Sequence, residues 1–163
     1  MKLIQLRSGE NVMVDDEDYE LLYNNCTWYA HKTYSAGKLI CTYARGRFNN
    51  KLLILMHRVI LKLKVEDMVL VDHIDHNGLN NQKVNLRICT NQQNLFNARC
   101  MTKEYKGTHK PRGRNKWLAS IRIDNKIIRL GHYAQEIDAA LAYDEAARKY
   151  YGEFANCNFP PKS

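Results

Sequence analysis

Long apolar runs are missing from this 163-residue chain. No stretch approaches the roughly 20 consecutive apolar residues that a membrane-spanning helix needs, so no membrane role is expected. The opening Met1-Lys-Leu-Ile-Gln-Leu-Arg7 turns polar too soon to act as a secretory signal core. Cysteine pairing is missing too. The five cysteines (Cys26, Cys41, Cys89, Cys100, Cys157) are odd in number, scattered and never spaced Cys-x-x-Cys. Neither a disulfide framework nor a structural zinc site is expected, and a reducing cell interior is the natural compartment. Acidic charge is scarce: 17 Asp and Glu against 25 Lys and Arg leave a net charge of +8 and a pI near 9.3. Such a surface suits an acidic polymer. With 45% apolar residues the chain has enough for a core, in one ordinary domain or two small ones.

What is present is concentrated between Val71 and Asn94, where asparagines, aspartates and histidines crowd among a few apolar anchors: Asp72-His73-Ile-Asp75-His76-Asn77-Gly78-Leu-Asn80-Asn81, then Asn85-Leu-Arg87, Asn91 and Asn94. Every such amide or carboxylate must find a partner or stay wet, so a segment built merely to pack would not carry them. They are oxygen ligands for a hard cation, with imidazole beside them. The apolar run Met68–Val71 predicts a short buried strand that delivers Asp72 and His73 to its end. Asp75 to Asn81 is turn chemistry, with Asn77-Gly78 tolerant of positive φ. Leu86, Ile88 and Cys89 form the return strand, with Asn85 at its entrance. Thr90 then caps a short helix holding Asn91 and Asn94, with Leu95 and Ala98 packed on the hairpin. Asp75 and His76 read as solvated turn residues or phosphate contacts, and Asn80 and Asn81 as amides that lock the loop.

This pattern resembles the asparagine-rich form of the HNH nuclease motif, as found in homing endonucleases of phages and introns. The resemblance implies a ββα unit around one divalent metal ion, Mg²⁺ or Mn²⁺. It implies Asp72 and Asn94 as metal ligands, His73 as general base and Asn85 as the asparagine that braces the loop. Those residue types suit phosphodiester cleavage. A neutral imidazole takes a proton from water near neutral pH, and a Mg²⁺-like ion with few protein ligands leaves room for the phosphate.

Residues 1 to about 66 read as β-rich. Lys2–Leu6 and Asn11–Val14 flank the turn at Ser8-Gly9-Glu10, and the acidic cluster Asp15–Glu20 opens a helix through Tyr23. Strands are expected at Thr27–Thr33, Leu39–Arg45 and Leu52–Met56, with turns at Ser35-Ala36-Gly37 and Asn49-Asn50. Trp28, Tyr29, Tyr34 and Tyr43 read as sheet core and cross-strand pairs. His57-Arg58, with His57 read as structural, begins a short helix through Leu63. Arg45 to Val65 holds six basic residues and no acidic one, a run suited to phosphate contacts.

A short linker is expected over Ala98–Glu104. Beyond it, Trp117–Ile123 alternates like a half-exposed strand, Asp124-Asn125-Lys126 turns the chain, and Ile127–Tyr133 returns with Gly131 inside it. A helix then shows Ile137, Ala140, Leu141, Asp144, Ala147 and Tyr151 on one face and ends at Gly152. Tyr105-Lys-Gly107, Trp117-Leu-Ala-Ser-Ile-Arg122, Leu130-Gly-His-Tyr133, Ala139-Ala-Leu-Ala-Tyr-Asp-Glu-Ala-Ala147 and Asn156-Cys-Asn-Phe-Pro160 resemble the Apetala-type, or ethylene-response-factor, DNA-binding domain. That resemblance implies a three-stranded sheet in the major groove, read out by Arg112, Arg114, Lys116, Arg122 and Arg129. Arg129 replaces the tryptophan, and Ser120 the glutamate, common in plant relatives, so the plant target sequence does not transfer. Residues 101 to 130 hold nine Lys and Arg against Glu104 and Asp124, and arginine can bridge the two acceptors of guanine.

The expectation is an α+β chain in two parts. Residues 1–100 form a nuclease domain with its ββα-metal unit at about 68–98, and residues 105–160 a small three-stranded antiparallel sheet on one helix. The expected function is a metal-dependent, homing-type DNA endonuclease that nicks double-stranded DNA. It would work as a monomer or homodimer without an obligate protein partner, inside a bacterial or phage-infected cell. The rival readings are a DNA-binding regulator with an inactive nuclease motif, and an RNA-binding module.

Overall fold

A computed structural model describes residues 1–49, 52–64, 66–99 and 103–160. Part of the expected Asn49-Asn50 turn, Lys51 and Val65 of the basic run, and the centre of the 98–104 linker lie outside the described residues. The fold is α+β, in two compact units, Met1–Asn91 and Gln92–Ser163. Among the described residues no helix is long and apolar enough to cross a membrane.

In the first unit β1 (Lys2–Gln5) and β2 (Asn11–Val14) form an antiparallel hairpin, and α1 (Asp16–Asn25) follows with Asp16, Glu17 and Asp18 in its first turn. Three acidic side chains there complement the positive end of the helix dipole. The strands β3 (Trp28–Ser35), β4 (Lys38–Phe48) and β5 (Leu52–Leu55) make an antiparallel sheet in that order. The short helix α2 (Met56–Ile60) leaves its edge, and β6 (Leu70–His73) then pairs with β7 (Leu86–Cys89). Ile4, Leu6, Val12, Val14, Leu22, Trp28, Ala44, Met56, Ile60 and Leu86 form one core. Trp28 enters it with its polar atom satisfied, Nε1 donating to the Leu22 carbonyl at 3.0 Å. Tyr29 and Tyr34, expected in the same sheet core, are exposed instead, because their positions in β3 point away from it.

Two expectations about the hairpin need correction. Met68, Val69 and Leu70 are exposed, Met68 almost fully, and the residues that β6 buries are Asp72 and His73. A short apolar run signals burial only where a neighbour covers it, and here Val71 packs against the core while Met68, Val69 and Leu70 do not. Neither Asn77 nor Gly78 takes positive φ; His76 does, at 63°. Gly78 is needed for space: a Cβ there would sit 2.5 Å from the Thr42 carbonyl oxygen and 2.6 Å from the Tyr43 ring.

The helix α3 (Asn91–Asn97) starts one residue after Thr90. Asn91 closes the first unit and the remainder belongs to the second. Leu95 and Ala98, expected to pack, are exposed. Phe96 carries the packing, its ring stacked 3.6 Å from that of Tyr151, and Lys106 Nζ caps the helix end through the Phe96 and Ala98 carbonyls at 2.6 and 2.7 Å.

The second unit is the sheet β8 (Thr108–His109), β9 (Trp117–Ile123) and β10 (Lys126–Tyr133), with β9 central, and the helix α4 (Glu136–Tyr151). Asp124 and Asn125 both take positive φ, 47° and 62°, the two-residue loop whose twist suits a hairpin. The buried face of α4 is Ala139, Ala140, Tyr143, Asp144, Ala146, Ala147 and Tyr151, rotated from the expected one so that Ile137 and Leu141 stay exposed. Gly107 lets this face approach: a Cβ there would fall 1.9 Å from Tyr143 Cδ2.

Asp144, fully buried, closes the unit. Its Oδ1 accepts from the Asn158 backbone N–H at 2.8 Å and Asn158 Nδ2 at 2.9 Å, and its Oδ2 from the Phe159 N–H at 2.8 Å. Asn158 in turn accepts from the Lys106 N–H at 2.6 Å and donates to the Lys106 carbonyl at 3.0 Å. The closing Asn-x-Asn-Phe is thus a clamp tying the chain end to the helix and to the start of the sheet. Asp144→Ala strands these donors in a buried site and should lower stability by about 3 kcal/mol. Urea unfolding followed by Trp117 fluorescence checks this, and an unchanged midpoint counts against the clamp.

Candidate active site

The loop between β6 and β7 has little apolar surface to fold it, and hydrogen bonds do the work. Asn85, buried, is its hub: Oδ1 accepts from the Asp75 N–H at 3.0 Å, and Nδ2 donates to Asp75 Oδ1 at 2.9 Å and to the Asn80 carbonyl at 2.8 Å. Its own carbonyl accepts from the Ile74 N–H at 3.0 Å. Asp75 also accepts from Asn80 Nδ2 at 2.8 Å and the Asn77 N–H at 2.8 Å. Partial burial raises the Asp75 carboxyl, but the bonds from Asn80, the Asn77 backbone and Asn85 outweigh it and leave the net shift downward. The far side of the loop docks on β2, where the Met13 N–H donates to the Leu79 carbonyl and the Asn81 N–H to the Met13 carbonyl. Asp15 anchors its exit through Gln82 Nε2 at 3.2 Å and the Lys83 N–H at 2.8 Å.

His73 sits in the pocket so formed, 5% exposed. Its Nε2 lies 3.3 Å from Asn81 Oδ1, and Asn81 Nδ2 is turned to the Gly78 carbonyl at 3.3 Å. With the amide oriented this way its oxygen faces the ring, so Nε2 carries the proton and the basic lone pair belongs to Nδ1. Burial lowers the His73 pKa below that of free imidazole, opposed by the Asn81 bond and by Asp75 and Asp72, so the neutral form prevails at neutral pH. Two further rings flank it. His57 of α2 packs edge-on, with ring centroids 5.1 Å apart at 75°, and Tyr43 of β4 lies 5.7 Å from His73 and 5.9 Å from His57. Burial, then the neighbouring His73 and Arg58, push the His57 pKa down to about 3.

Asp72 precedes His73 and is buried. Arg87, its cross-strand partner, donates to Oδ2 from Nε at 2.9 Å and from Nη2 at 2.7 Å. Among the described residues no three His, Cys, Asp or Glu side chains gather into a cage. The donor chemistry fits a hard cation that keeps most of its coordination for water and phosphate, through a fixed carboxylate and an amide. Asp72, His73 and Asn85 stand together within the first unit, and Asn94, the second expected ligand, lies on α3 in the second.

The sequence reads Tyr43 as a sheet residue and His57 as structural, whereas both rings line the His73 pocket. Strand alternation marks Tyr43 as facing opposite to Ala44, but no local signal ties β4 to a hairpin far downstream. Asn81 locks the loop as expected and also orients the ring. Arg58, within the expected phosphate-binding run, is committed elsewhere: it clips the following loop through the Val69, Lys64 and Asp67 carbonyls at 2.9, 2.5 and 2.9 Å.

In the second unit, cross-strand pairing sorts the expected DNA-binding residues. Ile121 and Ile128, Ala119 and Gly131, and Trp117 and Tyr133 share the face toward α4; Arg122 and Ile127, Ser120 and Arg129, and Leu118 and His132 share the opposite face. Arg122 and Arg129 are therefore neighbours on an open sheet surface, both exposed. Arg112, Arg114 and Lys116 are exposed on the loop between β8 and β9. Lys110 Nζ lies 5.5 Å over the half-buried ring of Trp117.

Residues 55–96 match the family model described as HNH endonuclease. This segment is similar to the HNH endonuclease family. An uncharacterized HNH endonuclease of Acanthamoeba polyphaga mimivirus is 36% identical over 103 residues, 63% of this chain and 54% of that protein. The C-terminal part is similar to dehydration-responsive element-binding protein 2E of Oryza sativa subsp. japonica, 50% identical over 66 residues, or 39% of this chain and 20% of that protein. It is also similar to dehydration-responsive element-binding protein 2D of Arabidopsis thaliana, 47% identical over 66 residues and 30% of that protein. The chain thus spans about half the length of the viral relative and less than a third of the plant ones.

The His57 environment has a measurable consequence. Its folded pKa, about 3, lies below the ordinary 6.5, so the unfolded chain binds the extra proton. The stabilisation is complete above about 6.5 and is lost as pH falls toward about 3, by up to about 1.4 kcal/mol per pH unit. His57→Gln should flatten this slope. Urea unfolding at pH 7 and pH 5 compares the two proteins, and parallel losses would remove His57 as a cause.

Proposed function

We propose that the chain is a metal-dependent HNH endonuclease of the homing type that nicks double-stranded DNA, with residues 1–100 as its nuclease domain and residues 105–160 as its sequence-specific DNA-binding domain. The observation that carries this reading is His73: a buried, neutral, oriented imidazole beside a fixed carboxylate, inside the segment that matches the HNH endonuclease family. The open basic sheet face of the second unit supports DNA as the polymer; in this reading Arg122 and Arg129 reach base edges and Arg112, Arg114 and Lys116 reach phosphates. One such site per chain cuts one strand. A double-strand break then requires two protomers, and no obligate partner of another kind is needed. The cell interior, bacterial or phage-infected, is where such a protein meets its DNA.

In this mechanism His73 Nδ1 takes the proton of a water whose oxygen attacks the scissile phosphorus, while the Nε2–H bond to Asn81 keeps the ring aimed. The P–O3′ bond breaks as the new P–O bond forms, and the 3′-oxygen leaves with a proton from solvent. Asp72 and Asn94 would hold a divalent ion, Mg²⁺ or Mn²⁺, which supplies charge neutralisation at the phosphate and the leaving oxygen. Arg87 fixes the Asp72 carboxylate, and Asn85 fixes the loop on which both catalytic neighbours depend. His57 and Tyr43 wall the ring off from solvent.

With Mg²⁺ or Mn²⁺ at low salt, the wild type should convert supercoiled plasmid to open circle, and EDTA should stop it. His73→Ala should slow nicking at least about a hundredfold with duplex binding unchanged; cleavage at the wild-type rate would remove His73 as the base. Tight duplex binding without cleavage, even on the protein's own target, would instead favour a DNA-binding regulator. Arg122→Ala should relax sequence preference at a cost of about 1–3 kcal/mol if it reads a base. Selection from a random duplex library checks this, and uniform weakening across sequences would make it a phosphate contact.

A further inference from the structure

The sheet β3–β4–β5 carries a second feature that the nuclease motif does not include. Alternation along β4 puts Ala44, Gly46 and Phe48 toward the core and Tyr43, Arg45 and Arg47 on the other face. The register sets Tyr29 beside Arg45 and His31 beside Tyr43 on β3, with Leu55 beside Arg45 and Leu53 beside Arg47 on β5. Tyr43 is the residue whose ring lies 5.7 Å from His73. A file of side chains therefore runs from the His73 pocket through Tyr43 to Arg45 and Arg47, stepping about 6.6 Å per two residues. That step is close to the separation of consecutive phosphates along one nucleic-acid strand.

These arginines are uncommitted. Arg58 is bonded to three carbonyls and Arg87 to Asp72, whereas Arg45 and Arg47 have no ion-pair or hydrogen-bond partner among the described residues. Arg47 and Tyr29 are exposed and Arg45 half-exposed. No carboxylate competes from the same elements, because the sequence has no Asp or Glu between Glu20 and Glu66. A basic, aromatic strip on strands that carry no carboxylate of their own, leading directly to a proposed general base, fits a polyanion lying along it.

We propose that the outer face of β3 and β4, through Arg45, Arg47 and Tyr29, grips the phosphate backbone of duplex DNA next to the bond presented to His73. The proposal rests on the nuclease reading for the identity of its polymer. Arg45 and Arg47 bind successive phosphates of one strand, and Tyr29 packs against the sugar beside them. A cutting centre needs such a local grip, because misplacing the phosphate by about 1 Å can cost a hundredfold in rate.

The full-length Arg45→Gln/Arg47→Gln and Arg45→Lys/Arg47→Lys variants test this. The readout is binding to a mixed-sequence duplex of about 30 base pairs, across about 50 to 200 mM salt. Loss of two phosphate contacts should make the log–log salt slope shallower by about 1.8, so that the glutamine pair loses about 12-fold less affinity than wild type across that range. The lysine pair should keep the wild-type slope. An unchanged slope in the glutamine pair overturns the proposal, as does the same loss in the lysine pair, which would mark a fold effect. Plasmid nicking by wild type is scored separately. A shallower slope with no nicking sinks the nuclease reading and leaves this face as a DNA contact, whereas nicking with an unchanged slope does the reverse.

Discussion

The site depends on one constraint: a polar loop without enough apolar surface must be folded by its own hydrogen bonds. Asn85 meets that constraint because an amide can accept and donate at once. Its oxygen takes the Asp75 N–H while its nitrogen reaches Asp75 Oδ1 and the Asn80 carbonyl, which closes the loop on itself. An aspartate there would lose both donated bonds, and an apolar residue all three. From this closure follow the position of Asn81, the orientation of the His73 ring and the placement of Asp72 one residue earlier. The hairpin β1–β2 supplies what the loop cannot, two backbone bonds at Met13 and the Asp15 carboxylate at the loop exit. A buried histidine is thereby carried by a hydrogen-bonded frame although little apolar surface surrounds the loop itself.

Signals carried by spacing were legible in the sequence. Strand alternation over Trp117–Ile123, the Asp124-Asn125 turn, the long helix ending before Gly152 and the cluster at Asp72, His73 and Asn85 all stand where expected. Features that depend on a distant neighbour were not legible. The run at Met68–Leu70 reads as buried, but its side chains are exposed. Gly78 reads as a turn residue, whereas its role is to admit the backbone of β4. Tyr43 reaches His73 only through tertiary approach. On α3, two apolar residues at helical spacing stay exposed while Phe96 finds Tyr151, because periodicity names a face and not its partner.

In the second unit the closing motif shows how a family signature divides into structural and functional parts. Asn158 and Phe159 are bonded to the buried Asp144, and Gly107 makes room for Tyr143, so these positions hold the helix to the sheet and offer nothing to a ligand. The sheet face away from the helix has no such duties. There Arg129 and Ser120 stand opposite each other, two of the positions at which the chain departs from the plant pattern. These two lie on the face turned away from the helix and not where the fold is fixed.

The same division sorts six of the chain's eleven arginines better than their position in sequence does. A guanidinium bonded to backbone carbonyls or to a buried carboxylate cannot neutralise a phosphate without breaking those bonds, and for a buried pair such a break costs several kcal/mol. Arg58 and Arg87 are of that kind, although both sit in or beside the motif and would head any list of basic candidates. Arg45, Arg47, Arg122 and Arg129 stand on sheet faces turned from their cores. Charge counts along the sequence treat all six alike. The hydrogen-bond partners separate the two arginines that build the protein from the four whose charge is available to a polyanion.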